Sequence, residues 1–192
     1  DSNYQLPLIR KIFRSHLLIR FIGIGILIFI LSCTDSDYPM DNWIDVPLQE
    51  LEPPAVFFNP HEINISVGDT FAVNLYVLQV DNVAGAHLRV QYVDEKLQFL
   101  YMEVGELFID AYEPLFFWDS TIDTYLDVYS LYLATDEYTY SSGTASIATA
   151  YFRAIDPGGC DLIYVRPETR LVTPDNQPII IKSYGKATIN ID

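Results

Sequence analysis

Beyond residue 54 the apolar residues of this chain recur at every second position, a period that a half-buried strand requires and a helix cannot use. In Thr70–Val77, the residues Phe71, Val73, Leu75 and Val77 fall on one face. In Ala86–Tyr92, Ala86, Leu88, Val90 and Tyr92 point one way, and His87, Arg89 and Gln91 point the other. This is the alternation of an antiparallel strand with one wet face. The same reading predicts strands over Ile63–Val67, Leu97–Val104, Leu126–Ala134, Ala145–Ala154, Leu162–Arg166, Ile179–Lys182 and Ala187–Ile191. Turn residues punctuate them: Val67-Gly68-Asp69, Asp81-Asn82, Ser141-Ser142-Gly143, Asp156-Pro157-Gly158-Gly159 and Pro174-Asp175-Asn176. Only Glu103–Ala111 offers room for a helical turn. Nine such strands close most economically as two packed antiparallel sheets, so the expected class is an all-β sandwich.

The chain divides by charge. Residues 1–32 carry Arg10, Lys11, Arg14 and Arg20 against a single acid. Residues 33–192 hold seven basic against 25 acidic residues, a formal charge of −18. That excess of acid excludes nucleic acid as a partner, because phosphate binding is driven by clustered Lys and Arg. It also disfavours adhesion to anionic lipid, so any membrane attachment has to come from the N-terminal segment.

Phe21–Leu31 is an uncharged apolar run after a basic stretch, shorter than the roughly 20 residues that cross a bilayer. It reads as the hydrophobic part of a signal peptide. It ends in Ile30-Leu31-Ser32-Cys33, which resembles the lipobox of bacterial lipoproteins. The resemblance implies cleavage before Cys33, acylation of its thiol, and a lipid-anchored protein in the cell envelope facing the periplasm or the exterior. An uncleaved anchor helix over Leu17–Leu31 is the alternative. The expected organisation is therefore a signal peptide at 1–32, an acidic linker with Pro39, Pro47, Pro53 and Pro54 at 33–54, and a folded domain at 55–192. A Cys33–Cys160 disulfide is conceivable unless Cys33 is lipidated; Cys160 is then a free, buried thiol.

Catalytic patterns are missing from the sequence. His61 and His87 lie far apart with no Cys or His at ligand spacing, so no zinc site is expected. There is no Gly-x-Ser-x-Gly elbow and no phosphate-cradling glycine loop. Nothing beside His87 in sequence would orient it as a base. The expectation is a protein that is not an enzyme and needs no cofactor. Asp119, Asp123 and Asp127 recur every four residues but lack the pattern of a calcium loop, so they read as a solvated acidic face, with a structural Ca²⁺ kept open. Phe116-Phe117-Trp118 and the tyrosines at 125, 129, 132, 138 and 140 admit two readings. Trp118, Tyr125 and Tyr129 form a stacking platform for sugar rings, or the aromatics divide between core and strand decoration.

Several segments together resemble a cohesin domain. Val67-Gly68-Asp69-Thr70 opens a strand, and Asn82–Tyr92 follows as the next strand of that family does. Leu97-Gln98-Phe99, Val104-Gly105-Glu106-Leu107, Leu131–Ala134 and Gly143–Ala154 keep the order and spacing, and Asp175–Pro178 and Ala187–Ile191 sit at the closing turn and last strand. The match covers about residues 60–192. It implies a nine-stranded jelly-roll sandwich that binds dockerin modules of polysaccharide-degrading enzymes, or another exported protein, on one sheet face. Carried over by position, that face would present His87, Arg89, Gln91 and Tyr132. The chain departs from the family pattern at Tyr92–Leu97, which lacks the proline, and at Gly85 and His87, where acid and amide residues are typical. The competing expectations are a carbohydrate-binding module of the same architecture and a structural envelope spacer without a ligand.

Overall fold

The computed structural model describes residues 51–109, 115–132 and 140–192. Among them the fold is all strand. In chain order these are β1 (Ala55–Asn59), β2 (Glu62–Ile65), β3 (Thr70–Val83), β4 (Gly85–Gln91), β5 (Leu97–Val104), β6 (Leu115–Asp119) and β7 (Tyr125–Leu131). They continue as β8 (Ser141–Ala154), β9 (Gly158–Tyr164), β10 (Arg170–Val172), β11 (Pro178–Ile179), β12 (Ser183–Tyr184) and β13 (Ala187–Ile191). A five-stranded sheet has the order β12-β1-β3-β8-β5, and a second sheet runs β11-β10-β4-β9-β13-β2, with β7 on β4 and β6 on β7.

The core follows from the alternation. Val73, Leu75 and Val77 of β3 and Ala148, Ala150 and Phe152 of β8 face Leu88, Val90, Leu126, Val128, Leu162 and Ile189 of the other sheet, all buried. Each large aliphatic among them stabilises the fold by about 1.5–3 kcal/mol relative to an exposed position. One polar bond ties the layers across the core. The Tyr164 hydroxyl donates to the Phe57 carbonyl at 2.9 Å, and its ring stacks on Phe58 at 4.3 Å.

The sandwich expected from the sequence is present, with three corrections. Thirteen strands among the described residues replace the nine, because β1, β6, β10 and β12 carry too little alternation to be read. The pairing is mixed rather than purely antiparallel, since β1–β12 and β13–β2 run parallel. Asp81-Asn82 and Ser141-Ser142-Gly143 do not reverse the chain. They lie inside β3 and β8, which pair on through Val80–Gly143 and Val83–Ser141. The left-handed Gln79 (φ 44°) and Asn82 (φ 59°) are absorbed as bulges, where side-chain oxygens of Thr144 and Ser142 accept their amides. Glu106–Ile109 is a single turn closed by the Ile109 amide on the Glu106 carbonyl.

Residues just before β1 are part of the packed body. Leu51 lies with Phe57, Leu78 and Tyr76 on the outer side of the five-stranded sheet. The Glu52 amide donates to Ser183 Oγ, and Lys182 pairs with the Glu52 carboxylate at 2.8 Å. Gly185 makes this possible, because a Cβ there would come within 2.8 Å of the Phe57 Cβ.

Candidate functional site

The outer face of the second sheet is built in rows by the registers of β6, β7, β4 and β10. Leu115, Leu131, Gly85 and Val172 stand opposite one another along one row. Leu131 and Val172 close over Gly85, since a Cβ there would meet both at 2.9 Å. The next row is Phe117, Tyr129, His87 and Arg170. Its rings stack in sequence, Phe117 on Tyr129 at 4.6 Å and Tyr129 on His87 at 4.3 Å, close to parallel in both cases. Cross-strand aromatic pairs of this kind stiffen a sheet surface by about 0.5–1.5 kcal/mol each.

The third row holds Asp119, Asp127 and Arg89. Arg89 Nε donates to Asp127 Oδ1 and Nη2 to Oδ2, both at 2.8 Å, and His87 Nε2 lies 2.7 Å from Oδ1. Burial pushes the Asp127 carboxyl up, but the hydrogen bonds from Arg89 and His87 outweigh it and hold it below the ordinary carboxylate range. Arg89 also lies over the Tyr125 ring, 5.8 Å from its centre. Leu115, Phe117 and Leu131 remain 37–45% exposed on this face. An exposed apolar patch with a polar margin is a feature that protein, membrane and ligand contact sites share.

Past Gln91 and Ile163 the same sheet turns polar. Lys186 and Thr188 donate to Asp161, and the Asn190 amide reaches Asn64 and Glu62. Among the described residues the apolar part of this face thus lies mainly on β6, β7, β4 and β10, with Ile163 of β9 39% exposed opposite Gln91.

Of the residues expected on the binding face, His87, Arg89 and Gln91 point outward and are partly exposed. Tyr132 is a correction: it is 6% exposed and turns into the core, edge-on to Phe108. The sugar platform is also corrected. Trp118 sits opposite the inward Val128 and packs beside Phe116, on the other side of the sheet from Tyr125 and Tyr129. The three rings share no surface. Asp127 is likewise buried and ion-paired, not solvated, while Asp119 and Asp123 stay exposed. Among the described residues no three His, Cys, Asp or Glu side chains converge as metal ligands. Cys160 is free and half-buried, its thiol pushed up by burial. Cys33, Tyr138 and Ala134 lie outside the described residues.

Sequence reasoning noted Phe117 only among the clustered aromatics and missed Leu115, Leu131, Val172 and Arg170. Alternation within Tyr125–Leu131 carried the signal for one of them, as it places Tyr125, Asp127, Tyr129 and Leu131 together.

No protein-family model matches the chain, and no curated protein does. Solved structures do resemble it. A non-cellulosomal cohesin of the archaeon Archaeoglobus fulgidus superposes with a TM-score of 0.59 at 15% identity, over 72% of this chain and 90% of that one. A type I cohesin–dockerin complex of Clostridium thermocellum gives 0.60 at 14% identity, over 72% and 94%. A type II cohesin domain from the cellulosome of Acetivibrio cellulolyticus gives 0.59 at 16%, over 71% and 96%. The fold is therefore cohesin-like.

Proposed function

We propose that this chain is a non-catalytic protein-binding module that docks a dockerin-type or other exported protein on the outer face of β4, β6, β7 and β10. The observation that carries this reading is the pair of contiguous rows from Leu115 to Val172 and from Phe117 to Arg170, with Leu115, Phe117 and Leu131 exposed and Phe117, Tyr129 and His87 stacked. Support comes from the similar structures solved as cohesin–dockerin complexes. Successive residues of a row, one from each strand, are about 4.8 Å apart, close to the 5.4 Å pitch of a helix, so an apolar helix stripe laid across the strands meets successive side chains. A binding screen of the chain against dockerin modules tests the reading. Saturable binding lost on Phe117→Ala supports it, and an interface unaffected by any change on this face overturns it.

The reading extends to location. Acylation of Cys33 would hold the module at the envelope, with residues 34–50 as an acidic spacer, where it would retain a partner that acts on polysaccharide outside the cell. Metabolic labelling with a fatty-acid analogue, lost on Cys33→Ala, tests the anchor.

A further inference from the structure

The docking face is electrically lopsided. Arg89 and Asp127 neutralise one another in its middle. Lys96, Lys182 and Lys186 are paired with Asp156, Glu52 and Asp161 elsewhere on the domain. Arg170 ends the ring row on β10, exposed, and has no carboxylate at ion-pair distance among the described residues. At the opposite margin, on β6, stands the exposed Asp119. Three strand spacings of about 4.8 Å put the two margins about 14 Å apart.

We infer that this polarity sets the chemistry and the orientation of the partner: an apolar surface flanked by a carboxylate that meets Arg170 and by a cation that meets Asp119. The inference rests on the docking reading above. A partner that covers the ring row from Phe117 to His87 also takes Arg170 out of water. Without a counter-charge that desolvation opposes binding. With a carboxylate, the guanidinium makes a two-pronged, charge-assisted pair whose planar geometry fixes the register. The domain is strongly acidic, and its other exposed arginines lie off this face, Arg153 on β8 and Arg166 over the Tyr184 ring, so within the docking face Arg170 is the position where a carboxylate is selected. Asp119 at the other margin opposes the reversed placement, because a partner rotated by half a turn brings carboxylate to carboxylate.

The test uses the full chain in detergent and a panel of purified dockerin modules, with affinity and association rate measured at low and physiological salt. Arg170→Glu is expected to weaken binding about tenfold or more, with most of the loss in association rate at low salt. Arg170→Lys should keep part of the affinity, and Asp119→Lys should weaken it in the same sense. Since both side chains are exposed, all three variants should melt with the parent. Binding that Arg170→Glu leaves within about twofold, while Phe117→Ala abolishes it, overturns this inference and leaves the docking reading standing. Failure of every module to bind overturns the docking reading, and this inference with it.

Discussion

Arg89 grips Asp127 as a fork, with two hydrogen bonds of 2.8 Å to the two carboxylate oxygens, on the same face as the exposed ring stack. Asp127 keeps only 8% of its side-chain surface and Arg89 26%, so the pair is more than surface decoration. Asp127→Ala leaves a half-buried guanidinium and an unsupported His87. The expected cost is about 2–3 kcal/mol, below that of a fully buried pair because Arg89 retains some water. Urea unfolding of the two proteins side by side measures it.

Acid should act through the same carboxylate. Its folded-state value lies below the ordinary 3.8, so its stabilisation is complete above that ordinary value and fades as pH falls through the lower folded one. Urea midpoints taken from about pH 5 down to about pH 2 are expected to fall, and to fall less steeply in Asp127→Asn.

The buried hydroxyl of Tyr164 is held as a neutral phenol, pushed well above the usual range by burial. Tyr164→Phe keeps the stack on Phe58 and removes only the bond to the Phe57 carbonyl. About 1 kcal/mol should be lost, read as a lower thermal midpoint without change in cooperativity.

Gly185→Ala forces a methyl against Phe57 beneath Leu51. Overpacking of this kind costs about 1–3 kcal/mol. Limited proteolysis should then cut near Leu51 sooner than in the parent, because the strap has lost its seat.

Phe117 allows the proposed binding to be tested apart from folding. It is 45% exposed and stacks on Tyr129, so Phe117→Ala should change stability by no more than about 1 kcal/mol while reducing partner affinity about tenfold or more. Calorimetry of unfolding and of binding on one preparation checks both.

The strand faces of β3 and β4 were legible because each buries one side and wets the other, so residues two apart share an environment; β5 was legible as a strand, but a bulge between Phe99 and Tyr101 breaks its alternation. β6 was not, since it lies at the sheet margin and shows apolar residues on both sides; Leu115-Phe116-Phe117-Trp118 has no period to read. Arg170 sits in a three-residue strand, too short for alternation, and its neighbours arrive only through the pairing of β10 with β4. Tyr132 is the instructive error. Position in the family pattern placed it outward, whereas counting by twos from the inward Leu126 and Val128 turns it to the core, where it is found. Asp127 looked like one of three evenly spaced acids. Its burial depended on Arg89, 38 residues earlier, which no local pattern reveals.

The seat of Leu51 has a mechanical consequence. Leu51 lies on the outer side of the five-stranded sheet, whereas Phe117 and Arg170 look out from the opposite side of the sandwich. A load applied between Leu51 and the outer face of the second sheet would therefore pass through the full thickness of the domain, from β1, which is flanked by β3 on one side and by β12 on the other, across the core to β4 and β7.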